Sequence, residues 1–416
     1  MKAEIISVGT ELLLGQIVNT NAQFLARQLS GMGINHYTQT TVGDNPERLK
    51  KVLAQREGQS DIYILTGGLG PTRDDLTKET VADYLDEKLE IDPASLASIE
   101  ADFERSGRTM PDNCRKMAAY FSRGFLFRNS QGQAPGTAVE KDGRLYLLLP
   151  GPPRELTTMF LEEVKGFLMD RYSEDVHIDS RYLNYFGIGE SYLADLLDDY
   201  IVNQSNPTLA LYPGGGTVTL RLTAYGTSKH GNEELLNDLT HKILERSDRW
   251  FYGEGYDYTP AQAFVNYLLN IKETISFAES FTGGKVANMV VDNPGSSEIF
   301  LGSIVAYDRD RKSKLLGVSD HTLDVEGMVS EACAREMAQG ALRRIDSDLA
   351  VSFTGVAGPA EMEGHPPGTV FIGLASQDGS IDEVLALELD GDRDYIRRAS
   401  ISHAFVHFLK KKRKPD

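Results

Sequence analysis

A short apolar run that leads straight into a glycine-rich turn constrains this chain more than any other feature. Residues 62–65 (IYIL) have the composition of a buried strand, and residues 66–77 read TGGLGPTRDDLT. The turn holds three closely spaced glycines: Gly67, Gly68 and Gly70. Because glycine lacks a Cβ, a ligand can approach the backbone closely, and the helical pattern that begins near Thr77 adds free N–H groups. The stretch therefore predicts an anion-binding loop.

Two carboxylates, Asp74 and Asp75, lie near the end of this loop. Carboxylate oxygens suit a hard cation such as Mg²⁺, which takes few protein ligands and shares the phosphates of its substrate. A tight turn with a solvated aspartate pair is the simpler alternative. The loop is longer and richer in glycine than an isolated GxGxxG motif, which favours the functional interpretation.

Strand-like and helical stretches alternate through the first 170 residues. Residues 5–8 form a strand-like run, and Thr20 or Asn21 can cap the helix that follows. Asn45 can cap the next helix, because Pro46 stands at its first position. This alternation predicts an α/β domain with a doubly wound parallel sheet. Ligands bind such sheets beyond the carboxyl ends of the strands.

Several polar or glycine-rich segments fall at those carboxyl ends. Besides the loop at 66–77 they are residues 9–11, Asp44, residues 129–136 (NSQGQAPG) and residues 150–155 (PGPPRE). The candidate metal ligands at this rim are all carboxylates: Asp44, Asp74, Asp75, Glu11 and Glu155. Taken singly, each acid has an alternative role as a negative charge at a helix N-terminus, where the helix dipole favours it.

Composition argues against several classes of protein. A formal net charge of −18 and a pI of about 5.0 disfavour general binding to nucleic-acid phosphates, and the basic run at 410–414 fits a solvated tail. Two distant cysteines, Cys114 and Cys333, suit a reducing cytosol. The sequence has no apolar run long enough to predict a membrane span, and the start MKAEIISVG is too polar for a signal peptide, so a cytoplasmic protein is expected.

The middle of the chain, about residues 175–252, shows the order β-α-β-β-α. A strand at 181–186 and a helix at 190–201 come first, and strands at 208–212 and 217–225 flank three glycines. An RNA-binding module of the KH type needs a GxxG loop between helices with basic flanks, whereas these glycines link two strands. The pattern predicts a small α+β connector that acts as a spacer or dimer contact rather than an RNA-binding domain.

A serine at a strand-to-helix turn marks the last part of the chain. A strand at 274–278 runs into AESFTGG and then into a helix at 285–291. The hydroxyl of Ser280 would stand at a helix N-terminus, where backbone N–H groups can hold an oxyanion or a phosphate. The alternative is that Ser280 and Thr282 only cap the helix, and the local pattern does not decide between these roles.

A serine nucleophile needs a base. No histidine in this half of the chain lies in a sequence context that suggests a catalytic base. Lys312, in contrast, begins a helical run after a strand at 304–307 and can be desolvated by the sheet. A small-residue loop at 354–359 (TGVAGP) ends another strand. Arg393, with Arg397 one turn into the final helix, suits recognition of a phosphate or carboxylate.

The loop TGGLGPTRDDLT resembles the signature loop of the molybdenum-cofactor biosynthesis (MogA/MoaB-like) fold, in the form found in the competence/damage-inducible (CinA) family. The rim segments of residues 1–170 follow the order of that family. The resemblance implies a domain that binds a nucleotide diphosphate and hydrolyses the pyrophosphate of ADP-ribose with Mg²⁺ or another divalent cation. The substrate-binding residues that it implies are Thr66, Gly67, Gly68, Gly70, Pro150 and Gly151.

Six ordered motifs in the last part are similar to the C-terminal domain of the same family, the nicotinamide-mononucleotide amidohydrolase domain: AESFTGG, AYDRDRK, GMVSEACA, FTGVAGP, PPGTV and GDRDYIR. The resemblance implies hydrolysis of the amide of nicotinamide mononucleotide (NMN) to the acid and ammonia, with no cofactor. It implies Ser280 as nucleophile, Lys312 and Tyr307 as proton-transfer partners, and Thr354 as a hydroxyl in the site. The substrate-binding residues that it implies are Thr282, Gly283, Gly284, Gly355, Arg393 and Arg397.

The chain departs from this family at notable places. Phe281 stands where the family has Cys beside the nucleophile, and Glu361-Met362-Glu363 replaces a glycine-rich segment, so that two carboxylates could repel a nucleotide phosphate. One alternative is therefore a protein of the competence or DNA-damage response that has weak catalysis and acts by binding, with a recombination or competence protein as partner. A molybdopterin-binding protein is a further alternative.

The expected organisation has three parts: a nucleotide-binding domain at 1–172, a small KH-type-like connector at 173–252 and an α/β amidohydrolase domain at 259–412. The leading hypothesis is a bifunctional hydrolase of small pyridine nucleotides. The fold families imply a homodimer, whereas nucleic acid and membrane are not expected as partners.

Overall fold

A computed structural model describes residues 1–172 and 177–413. The predicted start of the connector at residue 173 and the end of the basic run at Lys414 lie outside the described residues. Contacts between Cα atoms group the chain into two compact units, Met1–Asp179 with Tyr225–Glu233 and Ser180–Ala224 with Glu234–Asp416. Helices and strands are mixed in both units, which confirms the predicted α/β class.

The first unit is organised around a six-stranded sheet. In chain order its strands and those of a separate two-stranded sheet are β1 (Lys2–Val8), β2 (Asn35–Val42), β3 (Ile62–Thr66), β4 (Leu89–Ile91), β5 (Ala119–Phe121), β6 (Phe125–Phe127), β7 (Gly136–Lys141) and β8 (Arg144–Leu149). The large sheet has the order β2-β1-β3-β8-β7-β6, and β4 pairs with β5. The first four strands are parallel, as predicted, and β7 and β6 add an antiparallel edge.

Local capping signals set several helix starts in this unit. The helices are Thr10–Leu13, Thr20–Gly31, Pro46–Arg56, Thr77–Leu85, Pro93–Arg105, the 3-10 turn Asp112–Ala118, Pro153–Met159, the π-turn Phe160–Val164 and Lys165–Tyr172. Asn45 caps Pro46–Arg56 by accepting from the Arg48 N–H at 3.0 Å, as predicted. The prediction that Thr20 or Asn21 caps the second helix is wrong: the cap is Asn19, which accepts from the Ala22 N–H.

Strand β3 shows how the sheet is buried on both faces. Its residues are all buried and alternate between two apolar clusters. Ile62 and Ile64 pack with Leu25 of one helix layer. Tyr63 and Leu65 pack with Leu49 of the opposite layer, and helices on both faces are the arrangement expected for a parallel sheet. The loop that follows the carboxyl end of β3 therefore starts from a strand that is packed on both faces.

A four-stranded sheet opens the second unit. Its strands are β9 (His177–Phe186), β10 (Thr208–Gly214), β11 (Thr217–Gly226) and β12 (Phe251–Glu254), in the order β10-β11-β9-β12. The helices are Glu190–Leu196, Asp198–Val202, Lys229–Ser247 and the 3-10 turn Asp248–Trp250. The single helix predicted at 190–201 is interrupted at Leu197. The glycine-rich turn joins antiparallel strands, as predicted, and Gly215 and Gly216 both have positive φ there.

A five-stranded sheet forms the rest of the second unit. Its strands are β13 (Ile275–Glu279), β14 (Phe300–Val305), β15 (Leu349–Gly355), β16 (Thr369–Ser376) and β17 (Asp382–Glu388). The order is β14-β13-β15-β16-β17, with the first three strands parallel and the last two antiparallel. The helices are Pro260–Ile271, Lys285–Val291, the 3-10 turn Ser296–Glu298, Arg309–Leu316, the π-turn Thr322–Glu326, Glu331–Ile345 and Arg393–Arg413.

Strand β13 lies between β14 and β15 in this sheet and leads into the AESFTGG turn. Ile275 and Phe277 face the main apolar cluster with Phe264, while Ala278 faces a second cluster with Met337. Both faces of the strand are thus covered, so the turn after it projects from a fixed base.

Within the described residues, none of the helices is both long enough and apolar enough to span a bilayer.

Candidate functional site

The predicted rim of the first unit surrounds a pocket of about 660 Å³. Its walls come from the ends of the parallel strands and from the loop at 66–77. The lining includes all five predicted carboxylates and all six predicted substrate-binding residues of this unit: Glu11, Asp44, Asp74, Asp75, Glu155, Thr66, Gly67, Gly68, Gly70, Pro150 and Gly151. The structure therefore brings together residues that are up to 144 positions apart in the chain, from Glu11 to Glu155.

Two glycines of the loop have no room for a side chain. Gly67 has φ +101°, and a Cβ there would lie 2.1 Å from the carbonyl oxygen of Val8. Gly68 has φ +68°, and a Cβ there would lie 2.2 Å from Oγ1 of Thr77. The loop backbone can therefore fold against β1 and the next helix only with glycine at these positions.

Groups that the sequence patterns did not single out hold the outer half of this loop. Lys116 donates from Nζ to the carbonyl oxygens of Thr72 and Asp75, and Asn113 donates to Pro71. Nearby, Lys78 is buried and donates to the Met117 carbonyl at 2.8 Å, and burial lowers the pKa of its ammonium to about 7. The segment DNCRKM thus supports the loop, although it carries no motif of its own.

Asn21 is a further residue of the pocket that the sequence pattern assigned only to capping. Its Nδ2 donates to Thr66 Oγ1 at 3.1 Å and to the Gly151 carbonyl at 2.7 Å, while Thr66 Oγ1 donates to the Pro150 carbonyl at 3.0 Å. Asn21 therefore ties the helix after β1 to the ends of β3 and β8. The signal was the asparagine-rich stretch NTN at residues 19–21, where the second helix starts.

The carboxylates of the pocket differ in how they are held. Asp44 accepts at Oδ2 from the N–H and hydroxyl of Thr10, at 2.8 and 2.9 Å. Asp75 accepts at Oδ2 from the N–H and hydroxyl of Thr72, at 2.9 and 2.6 Å. Both hydrogen-bond pairs use Oδ2, which leaves Oδ1 of each aspartate as a candidate metal ligand.

The remaining three acids have less defined ligand geometry. Glu155 accepts from Asn129 Nδ2 at 2.7 Å and so holds the loop at 129–136. Glu11 and Asp74 are exposed. Across residues 1–172 and 177–413, no three His, Cys, Asp or Glu side chains converge closely enough to hold a metal by themselves. Any cation at this rim would complete its coordination with oxygens of a ligand or water, as Mg²⁺ commonly does.

In the second unit, Ser280 and Lys312 form a hydrogen-bonded pair. Lys312 Nζ lies 2.6 Å from Ser280 Oγ and also donates to the Ala306 carbonyl at 3.0 Å. Lys312 is 1% exposed, and burial lowers the pKa of its ammonium to about 8. A serine beside a lysine that loses its proton this readily can act as a nucleophile with its own base.

Glu279, which precedes the serine, fixes the turn from inside. Its carboxylate is fully buried and accepts from the N–H groups of Gly284 (2.9 Å), Val286 (3.1 Å) and Ala287 (3.1 Å), and from Ser303 Oγ (2.8 Å). The prediction that these N–H groups are free to hold an oxyanion or phosphate is therefore wrong. The alternative that Ser280 or Thr282 caps the helix is also wrong, because the cap position is Gly284 and Glu279 supplies the acceptor.

Two N–H groups of the turn remain available, whereas those of Ser280, Gly283 and Lys285 donate to backbone carbonyls. Among the described residues, the backbone N–H groups of Phe281 and Thr282 have no hydrogen-bond acceptor, and both residues are buried. They directly follow the nucleophile, which is a suitable place for oxyanion donors. The Phe281 side chain packs in the main apolar cluster of the sheet, so this departure from the family pattern fills core space.

Thr354 is buried at the end of β15 and donates from Oγ1 to the Met328 carbonyl at 2.6 Å. The same loop, at 327–329, is held from its other side by Glu363, whose carboxylate accepts from the Val329 N–H at 2.9 Å. One of the two acids that departed from the family pattern is therefore engaged by the backbone of a site loop. Glu361 is exposed.

Tyr307, Arg393 and Arg397 lie at the outer part of this site. Tyr307 is 60% exposed, and its hydroxyl contacts Nη2 of Arg393 at 3.4 Å rather than Ser280 or Lys312. Arg393 also donates to the Gly358 carbonyl at 2.7 Å. Arg397 donates to the Thr282 carbonyl, which links the final helix to the nucleophile turn. The two arginines therefore hold backbone carbonyls of the loop at 354–359 and of the nucleophile turn, and Tyr307 contacts the first of them.

Comparisons with known proteins cover the whole chain. Residues 4–170 match the family model described as probable molybdopterin binding domain, residues 180–253 match the damage-inducible protein CinA KH domain, and residues 257–412 match the CinA C-terminal domain.

Individual proteins show the same similarity. The chain is 46% identical over 416 residues to a competence-damage inducible protein of Bacillus cereus strain Q1, covering 99% of each chain. It is 45% identical over 411 residues to one from Geobacillus sp. strain WCH70, covering 99% of this chain and 98% of the relative. A crystal structure of the protein CinA from Thermoplasma acidophilum, with unknown function, is 31% identical, with a TM-score of 0.37 over 40% of this chain and 96% of that chain.

Proposed function

Because the chain belongs to the competence-damage inducible (CinA) family, we propose that its C-terminal domain hydrolyses the carboxamide of nicotinamide mononucleotide to the acid and ammonia. The observation that carries the proposal is the 2.6 Å contact between Ser280 Oγ and Lys312 Nζ, with the lysine buried. A buried serine–lysine pair suits amide hydrolysis through a covalent acyl intermediate.

The chemistry would start from the neutral amine of Lys312. Ser280 Oγ attacks the amide carbon while its proton moves to Lys312 Nζ, and the carbonyl oxygen becomes an oxyanion that the N–H groups of Phe281 and Thr282 can hold. Lys312 then gives the proton to the amide nitrogen, the C–N bond breaks, and ammonia leaves an ester on Ser280. Water attacks this ester with its proton passing to Lys312, and the proton returns to Ser280 Oγ as the acid departs.

The outer groups support binding of the nucleotide part. Arg393 and Arg397 carry guanidinium donors beyond those that hold the carbonyls of Gly358 and Thr282, and such donors match a phosphate. Tyr307 contacts Arg393 and can orient it towards the substrate. Glu363 is engaged by the Val329 N–H, which limits its repulsion of a phosphate.

The test is ammonia released from NMN by the purified full-length protein without added metal, compared with Ser280→Ala. Ser313→Ala, on the helix that carries Lys312, is the matched control. We expect turnover in the intact protein and in the control, and loss of about a thousandfold or more in Ser280→Ala. Turnover that survives in Ser280→Ala would overturn the assignment of the nucleophile. Absence of turnover in the intact protein, with NMN still bound, would favour the alternative of a binding protein of the competence response.

For the first unit we propose metal-dependent hydrolysis of the pyrophosphate of ADP-ribose. Support comes from the pocket of about 660 Å³, which places five carboxylates beside a glycine loop. These donors fit Mg²⁺, and Asp44 and Asp75, each oriented by a threonine, would hold it with oxygens of the substrate. When bound, the cation would offset phosphate charge and polarise the bond to be broken. The loop at 66–70 would bind the diphosphate through its backbone.

Molybdopterin is a second candidate ligand for the same pocket, because the family model over residues 4–170 is described by that name. Its phosphate would use the same loop. Titration of the purified protein with ADP-ribose plus Mg²⁺ and, separately, with molybdopterin distinguishes the two: hydrolysis to two monophosphates supports the pyrophosphatase, and tight molybdopterin binding without ADP-ribose turnover supports the alternative. A homodimer in the cytosol, with a competence or recombination protein as partner, completes the proposal.

A further inference from the structure

A second cleft, of about 520 Å³, lies in the second unit between the four-stranded sheet and the final helix. Arg249 and Trp250 form one wall at the end of the 3-10 turn Asp248–Trp250. The final helix forms the opposite wall with His403, His407 and Lys410, whose spacing of four and three residues places them on one helix face. The cleft is separate from the Ser280 site and from the pocket of the first unit.

Four of the eight residues that line this cleft are basic. Burial and the charge of Lys410 lower the pKa of His403, so this imidazole stays neutral near neutral pH and acts as a polar group rather than a cation. Arg249, Lys410 and two histidines line it, and its lining contains no carboxylate among the described residues. This concentration of positive charge stands out in a chain whose formal net charge is −18. Glu383, an acid outside the lining, contacts His407 at 3.0 Å and Lys411 at 3.0 Å, so its charge is already offset.

Packing holds the cationic groups in place. The Arg249 guanidinium lies 3.6 Å from the centre of the Trp250 ring, a cation–π distance that orients its N–H donors. The His403 ring packs edge to face on Phe186 of β9, with centroids 4.6 Å apart. His403 is therefore held against β9, whereas His407, one turn further along the helix, contacts Glu383 of β17.

We propose that this cleft binds a small phosphorylated compound through its phosphate group. A guanidinium presents a planar fork of donors that matches two phosphate oxygens, and Lys410 and the ring N–H of His403 add further donors from the other wall. A phosphate dianion can accept hydrogen bonds from these donors, and no carboxylate among the described lining residues would repel its charge. The proposal does not depend on the activity assigned to either catalytic site.

Trp250 is the only tryptophan of the chain, so its fluorescence reports on the cleft. The experiment titrates the full-length protein at constant ionic strength with inorganic phosphate and, separately, with adenosine monophosphate, and follows the midpoint of the fluorescence change. We expect a saturable change for both probes and a loss of affinity of about tenfold or more in Arg249→Ala. Calorimetric titration supplies the same affinity independently of the altered surroundings of Trp250 in that variant.

Lys410→Ala is the second variant, because it leaves the Arg249–Trp250 contact intact. Arg343→Ala, an exposed arginine of the helix Glu331–Ile345, is the matched control and should titrate like the parent protein. Weaker phosphate binding in both cleft variants but not in the control supports the proposal. A response that stays linear with concentration, or equal affinity in parent and cleft variants, would overturn it.

Discussion

The two candidate catalytic sites in this chain keep their reactive groups in opposite environments, one buried and one close to water. The Ser280–Lys312 pair is assembled by the protein alone, inside the sheet, and burial has lowered the pKa of the base to about 8. The acids of the first unit instead stay half-buried or exposed around an open pocket, and no three of those described converge. A lysine base gains from loss of water, because desolvation favours its neutral form. A carboxylate that is to hold a cation must stay charged, so it remains near water.

This difference predicts that the two sites respond differently to loss of the lysine base and to removal of divalent cations.

Replacing the base should have the largest effect. Lys312→Arg keeps the positive charge but cannot lose its proton near neutral pH, so NMN turnover should fall by about 10²- to 10⁴-fold. In the parent protein the pKa of about 8 means that kcat/KM should rise with pH up to and beyond pH 8, because the neutral amine is the active form. The measurement is ammonia release from pH 6 to 10. A profile that falls across this range would contradict Lys312 as the base.

Removal of divalent cations should separate the two sites. A chelator should abolish ADP-ribose cleavage and leave ammonia release from NMN unchanged, because the chemistry proposed for Ser280 and Lys312 uses protein groups only. Asp75→Asn should lower ADP-ribose turnover by about tenfold to a hundredfold, through loss of one charged ligand. Asp170→Asn, on an exposed helix position of the same unit, is the control. If the chelator stops both reactions, the contrast between the sites is wrong.

Glu279→Gln tests whether the buried carboxylate positions the nucleophile. An amide would oppose one N–H donor with another, so we expect about 2–3 kcal/mol lower unfolding free energy and about tenfold lower kcat for NMN. Urea denaturation and steady-state kinetics measure these effects, with exposed Glu298→Gln as the control. A positioning role requires kcat to fall more than KM rises while ADP-ribose turnover is unchanged. Normal kcat in the folded variant would leave Glu279 a structural group only.

Tyr307→Phe should have the smallest effect. The hydroxyl is 60% exposed and contacts Arg393, so its loss should raise KM for NMN by only a few-fold and change kcat less. A drop of a hundredfold in kcat would instead restore the proton-transfer role implied by the family resemblance. Exposed Tyr37→Phe in the first unit serves as the control.

Much of the fold could be predicted because its signals are local. The start of one helix is encoded by Asn45-Pro46, which caps as expected, and Thr259-Pro260 begins another helix with the same arrangement. Sequence signals that allow several cap positions were less informative. The stretch NTN offers more than one cap, and the choice of Asn19 depends on its contact with Ser7 of β1. The break at Leu197 carries no glycine or proline, so only tertiary packing reveals it.

The residues of the candidate sites also divide into those with a local sequence signal and those without one. Ser280 and the loop at 66–77 stand at strand ends with small residues, a pattern that is visible in sequence. Glu279 and Asn21 were not predicted as site residues, because a buried acceptor or donor becomes apparent only when the turn brings its partners around it. Catalytic roles for all these residues stay predictions until turnover is measured.

The first turn of a helix normally exchanges its amide hydrogens with water quickly, because those N–H groups lack intrahelical acceptors. In Lys285–Val291 the amides of Val286 and Ala287 instead donate to the buried Glu279 carboxylate. Their exchange would require the domain core to open. Slow deuterium uptake at these two amides would therefore mean that the turn that carries the nucleophile stays folded until the domain core itself opens.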